Sequence, residues 1–234
     1  MALKGKKTAK VLSRLYQFTA KIVCLFFFLT LIQVFVFRFI DYPFAMSDIN
    51  LRIRNISSSQ KHIIPRGEWR SIKHISPNLV KAVLAAEDQR FIIHSGFDYQ
   101  EIYRAIKDIN SDRKLRGAST ITMQMARTVF LWQDRSVTRK IAEAYYTVLI
   151  EFAMPKARIM ELYLNTVYWG AGIRGAEAAS KKYFNKAASE LTAEEAALLA
   201  VILRGPHAWS PANPDEYLIS RQKRILKDME KMHL

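Results

Sequence analysis

The 234-residue chain is long enough for one domain of ordinary size plus an appendage. Half of its residues are hydrophobic, which excludes a disordered chain and allows a substantial core. Its 36 Lys and Arg against 21 acids leave a formal charge of +15, which points to a polyanion or an anionic membrane without choosing between them.

The first predicted element is a membrane anchor. Between Lys21 and Arg38 the chain reads IVCLFFFLTLIQVFVF, an uncharged run of 16 residues. That is short of the roughly 20 that cross hydrocarbon as a helix. Extending it to Gln17 and Ile40 reaches that length if Lys21 and Arg38 snorkel to the interfaces. A cleaved signal peptide is the rival reading, but DYPFAMSD after the run is a poor cleavage site, so an uncleaved anchor is expected. Lys4, Lys6, Lys7, Lys10 and Arg14 precede it with no acid before Asp41, and such a tail stays cytoplasmic. Everything after Ile40 is then expected across the membrane, in a bacterium on the periplasmic or outer face of the inner membrane. The lone Cys24 lies inside the apolar run as a buried or lipid-facing thiol, so no intrachain disulfide forms.

The expected organisation is a basic tail over 1–16, an anchor over 17–40, a linker with one short strand over 41–74, and a single mainly α domain over 75–234. Ser76-Pro77 starts a helix, with Leu79, Val80, Val83 and Leu84 at helical spacing. Further helices are expected over Tyr99–Ile109, Ser119–Leu131, Thr138–Phe152 and Lys156–Tyr168. A basic loop, NSDRKLRGA, follows the first of these. Thr192 with Glu195 matches a capping box before AALLAVIL, and a last amphipathic helix runs from about Asp215 to Met232.

Three stretches carry candidate chemistry. In AAEDQRFIIHSGFD, Glu87 shares a helical face with Val80, Val83 and Leu84 at the carboxyl end of its helix. Desolvation and the negative end of the helix dipole both raise its pKa, which suits a general base or acid. Gly96 lets the chain turn, and His94 and Asp98 brace the site. Read alone, the stretch fits a solvated helix end equally well. In RGASTITMQMARTVF, Thr120, Gln124 and Arg127 fall at i, i+4 and i+7 as one polar face. Hydroxyl, amide and guanidinium in a row suit a sugar or phosphate, or simply solvent. In DRSVTRKIAEAYYTVLIE, Arg139 and Lys140 neighbour Glu143 on the helix surface, while Ile141, Ala144, Tyr145 and Val148 form the expected buried stripe. With Arg135, three cations surround one acid, an excess that suits a dianion such as pyrophosphate, with room for a divalent cation shared by Glu143. Two carboxylates on separate helices plus clustered cations suggest transfer at an anomeric carbon with a phosphate leaving group.

Those stretches, with ARIMELYLNTVYWG and GAEAASKKYFNK, resemble in order the five motifs of peptidoglycan glycosyltransferases, the domain that also opens class A penicillin-binding proteins. The likeness runs from about Ile75 to Pro214, and it resembles the monofunctional biosynthetic form. It implies a lysozyme-like helical fold and polymerisation of lipid II into a nascent glycan strand. By the same resemblance, Glu87 deprotonates the acceptor 4-hydroxyl, which attacks the donor anomeric carbon with inversion to a β-1,4 link. Undecaprenyl pyrophosphate leaves, held by Arg139, Lys140 and Arg127, while Glu143 places the cations or a divalent metal, Mg2+ or Mn2+. No organic cofactor is expected. Asp88, His94, Gly96, Ser119, Thr120, Gln124 and Asn165 fall on motif positions and shape the site. Met123-Gln124 stands where many members carry two glutamines, and Arg127-Thr128 where they carry Lys-Asn, which affects donor contacts. The expected partners are lipid II, the membrane through one helix, and cell-wall synthesis or division proteins, but no nucleic acid. A catalytically inactive scaffold of the same fold and a lysozyme-like glycan-cleaving enzyme are the competing readings. Arg139 and Lys140 speak against the second.

Overall fold

Ser76 starts a helix as its sequence predicts. Its hydroxyl accepts the Asn78 N–H at 3.3 Å, Pro77 takes the first helical position, and helix α2 (Pro77–Glu87) follows. The computed structural model describes residues 2–41, 56, 67–109, 117–132, 134, 136–206 and 208–232. These form two units, Met1–Ile40 and Asp41–Leu234. The first is one helix, α1 (Ala2–Phe39). Its stretch Leu12–Phe39 is long and apolar enough to cross a membrane. At 1.5 Å per residue its 28 residues extend about 42 Å, beyond the roughly 30 Å of hydrocarbon. The basic tail is therefore helical, with no break at residue 17. Thr30 donates its hydroxyl to the carbonyls of Phe26 and Phe27, both at 3.0 Å, so it presents no free donor to lipid. Cys24 is exposed on this helix.

Among the described residues of the second unit, the regular structure is helical except for one small hairpin. After α2 come α3 (Tyr99–Ile109), α4 (Ile121–Phe130), α5 (Val137–Ala153) and α6 (Lys156–Thr166). Asp98 caps α3 through the N–H groups of Gln100 and Glu101, and Thr120 and Ser136 cap α4 and α5. The helix expected to reach Tyr168 stops at Thr166. Val167 turns extended, and β1 (Tyr168–Gly170) pairs antiparallel with β2 (Ile173–Arg174). Helix α7 (Ala176–Phe184), not anticipated from the sequence, starts from Gly175 at φ +82, where a Cβ would lie 2.9 Å from the Asn165 carbonyl oxygen. Helix α8 (Ala193–Ile202) carries the expected capping box, and α9 (Glu216–Met229) is capped by Asp215. The apolar α8 packs against α2 and α9, while α4 packs between α5 and α6. Most of the expected linker and the basic loop after α3 lie outside the described residues.

Helix α5 overturns one expectation. Ile141 is 65% exposed and Val148 56%, so the expected apolar stripe is not its buried face. The buried residues are instead Arg139, Glu143, Thr147, Ile150 and Ala153. The polar groups go inward because they satisfy one another. Arg139 and Lys140 neutralise Glu143, and Thr147 donates its hydroxyl to the Glu143 carbonyl at 2.7 Å. Val137, Ile141, Val148 and Phe152 are left as an exposed apolar row. Tyr99, Tyr103, Ile106 and Ile109 on α3 are exposed as well. Trp169 is fully buried, whereas Trp132 is partly exposed, with its indole N–H donated to Asp134 at 2.9 Å.

Candidate active site

Glu87 is the last residue of α2, and its side chain is only 11% exposed. Burial raises its carboxyl pKa above the ordinary glutamate range, while the Gln124 hydrogen bond and the charges of Arg204 and Arg221 pull the other way. Gln124 donates its amide to Oε2 at 2.8 Å, and Arg204 Nε lies 3.7 Å from Oε1. Glu87 Oε1 accepts no hydrogen bond among the described residues. A carboxylate with one anchored oxygen and one unsatisfied oxygen is built to take a proton from something that arrives.

Asp88 and the loop after it form a scaffold at the start of α4. His94 Nε2, which carries the proton because it faces a carboxylate, donates to Asp88 at 2.9 Å. The Ile121 N–H donates to the same carboxylate at 3.0 Å. Arg90 pairs with Asp98 at 3.3 Å. Gly96 sits at φ +86, and Thr120 donates to its carbonyl at 2.7 Å. A Cβ at Gly96 would approach Thr147 of α5 to 2.7 Å. The hydrogen bonds of Asp88, His94 and Thr120 thus run to this loop and to α4 rather than to the Glu87 carboxylate.

The second centre lies on α5. Glu143 is fully buried, and its two oxygens accept from Arg139 and, at 2.6 Å, from Lys140. Arg139 is nearly buried, whereas the Lys140 side chain is half-exposed, with Ser119 Oγ 3.4 Å from its ammonium. Two cations on one acid leave a local charge of about +1 turned outward, which suits a phosphate. The described residues of this centre do not by themselves make a divalent-cation site. Such an ion takes several oxygen ligands, and here a single carboxylate has both oxygens occupied.

Helix α4 ties the centres together, with Ser119 before its N-terminus at Lys140 and Gln124 at Glu87. The expected polar face of α4 is only partly realised, since Thr120 is buried as the N-cap while Arg127 is exposed. Arg135 lies outside the described residues. Asn165 stands apart, clamping Arg70 by accepting its N–H and donating to its carbonyl, each at 2.8 Å.

Two neighbours of the site escape the sequence reading. Tyr163 is buried, but its hydroxyl donates to Gln124 at 3.0 Å. The signal was there, since a buried tyrosine must place its hydroxyl. Arg204 carries no such signal, because only the fold brings the end of α8 to the end of α2.

A family profile described as Transglycosylase matches residues 55–230. The chain belongs to the transglycosylase family. Its mainly helical, lysozyme-like domain is the class expected from the sequence. Among relatives of this transglycosylase, a protein of Shewanella oneidensis named biosynthetic peptidoglycan transglycosylase is 43% identical over 219 residues, covering 94% of this chain and 93% of its own length. Proteins of the same name from Bdellovibrio bacteriovorus and Bacteroides thetaiotaomicron are 42% and 39% identical. They cover 91% and 93% of this chain, and 84% and 88% of their own lengths.

Proposed function

We propose that this chain is a peptidoglycan glycosyltransferase that polymerises lipid II into glycan strands. The observation that carries the reading is the pairing of one desolvated carboxylate, Glu87, with a separate cation cluster on α5, joined by α4. Glu87 takes the proton of the acceptor N-acetylglucosamine 4-hydroxyl through Oε1. The freed oxygen attacks the anomeric carbon of the donor N-acetylmuramic acid. The bond from that carbon to phosphate breaks on the opposite face, giving a β-1,4 link. The electron pair leaves with undecaprenyl pyrophosphate, whose charge Arg139 and Lys140 stabilise, with Arg127 as an outer contact. Glu143 holds both cations in place. A divalent cation, Mg2+ or Mn2+, would compete with Lys140 for Glu143, and the steps above do not pass through one.

Helix α1 supports a single-pass anchor, with the basic N-terminus in the cytoplasm and the domain on the outer side of the inner membrane. The exposed apolar rows of α3 and α5 suit a domain working at a lipid surface, where its substrate resides. The test is polymerisation of labelled lipid II by the detergent-solubilised chain beside Glu87→Gln. Glycan strands from the wild type alone support the reading. Lipid II binding without polymer from either protein means an inactive scaffold, and cleavage of finished glycan means a hydrolase.

A further inference from the structure

Resting on that reading, we propose that Tyr163 is a positioning residue, whose hydroxyl fixes which end of the Gln124 amide faces Glu87 and so holds Glu87 ready as the base. An amide has one accepting and one donating end, and only one orientation suits a carboxylate. Tyr163 on α6 donates to Gln124 Oε1 at 3.0 Å, which leaves the Gln124 NH2 to donate to Glu87 Oε2 at 2.8 Å. The reversed amide would point its oxygen at the carboxylate and leave the phenol's proton without an acceptor. By disfavouring that reversal, the phenol keeps an amide donor on the Glu87 carboxylate and so favours its ionised form.

Tyr163 is suited to this task. It is 1% exposed, so no water replaces Gln124 as its acceptor, and α6 holds its backbone. Burial, with Glu87 and Asp88 nearby, raises its pKa well above that of free tyrosine, so the hydroxyl stays a donor throughout the working range. The other charged groups acting on Glu87 are Asp88 beside it, Arg204 after α8 and Arg221 on α9, while Arg127 of α4 acts on Tyr163. A Tyr163→Phe change removes none of them, so its effect isolates the hydroxyl.

The experiment compares the full-length wild type, Tyr163→Phe and Gln124→Met in detergent, with Glu87→Gln assigning the signal. The titration of the Glu87 carboxyl is followed by infrared difference spectroscopy, and the acid limb of the lipid II polymerisation rate against pH is followed in parallel. Losing one hydrogen bond to the carboxylate moves both upward by about one pH unit. Below the limb the rate then falls about tenfold, with little change in the plateau. Gln124→Met, which removes the donor itself, gives the full shift for comparison, and Tyr163→Leu supplies the test if Tyr163→Phe does not fold. The double variant shifts no further than Gln124→Met alone. An unmoved Glu87 titration in a folded variant overturns the proposal, even if the rate falls uniformly with pH. If the wild type makes no polymer, the functional reading fails by itself, because the infrared titration still decides the relay.

Discussion

Glu143→Gln tests whether the inward-facing polar row of α5 is held together as described. The substitution keeps shape and one accepting oxygen but removes the charge from a side chain that is 0% exposed. Its two partners then fare differently. Lys140, 47% exposed, turns to water at little cost, so its pair is discounted. Arg139, 11% exposed, stays buried without its counter-charge. Removing one partner of a buried ion pair costs about 3–5 kcal/mol, and the remaining amide oxygen puts this case near 3. For a domain of this size each kcal/mol is worth roughly 2–4 °C, so the melting temperature is expected to fall by about 6–12 °C. Thermal melts of the detergent-solubilised protein read this directly. Arg139→Met combined with Glu143→Leu loses less than Glu143→Gln, because the pair goes as a unit. Excess pyrophosphate restabilises Glu143→Gln more than the wild type, since it binds two cations no longer shared with the acid. A Glu143→Gln protein melting within about 2 °C of the wild type would refute the account of α5.

Other substitutions probe the remaining parts. Arg204→Ala moves the acid limb of the rate profile upward, by less than one unit because the arginine is half-exposed, as a pH series would record. Glu87→Gln melts higher than the wild type at neutral pH. Burial raises the folded-state pKa of Glu87, so its ionised form costs stability above that pKa. The gain accordingly disappears as pH falls to the ordinary glutamate range, where both side chains are neutral. Gly96→Ala lowers stability by about 2–3 kcal/mol, from its positive φ and the approach of its Cβ to Thr147, visible as a melting shift of several degrees. Ile141→Ser and Val148→Ser leave the melting temperature within about 2 °C, because both side chains are already exposed.

What the sequence made legible follows from how local each signal is. Ser76-Pro77 and the Thr192–Glu195 box are complete within a few residues, and the helices start where they say. The hairpin at Tyr168–Arg174 depends on Gly172 and Gly175 at positive φ, which composition does not announce. Helix α5 misled because periodicity reports an apolar stripe but not which way it faces. Three polar residues that satisfy one another outcompete it for the interior, and the apolar stripe is left on the surface. The site divides in the same way. Arg139, Lys140 and Glu143 lie within one helical turn and read directly. The partners of Glu87 come from α4, α6 and the end of α8, and no spacing along the chain connects them.

The separation of the two centres has its own logic. In the proposed reaction the base works only if its proton affinity is not suppressed, so Glu87 would not sit against the cations proposed to receive the leaving group. Had Arg139 and Lys140 faced Glu87, their charge would stabilise the carboxylate and weaken it as a base. The chain places the cations on another helix and gives them an acid of their own. Glu143 cancels one of the two charges, so the site greets a pyrophosphate with about one net positive charge rather than two. An uncancelled pair would hold the departing lipid pyrophosphate more tightly and slow its release. At Glu87 the opposing influences are milder, namely one amide hydrogen bond and two arginines, of which Arg204 stands 3.7 Å away. Burial outweighs them, so the Glu87 carboxyl keeps a raised proton affinity, as the proposed base requires.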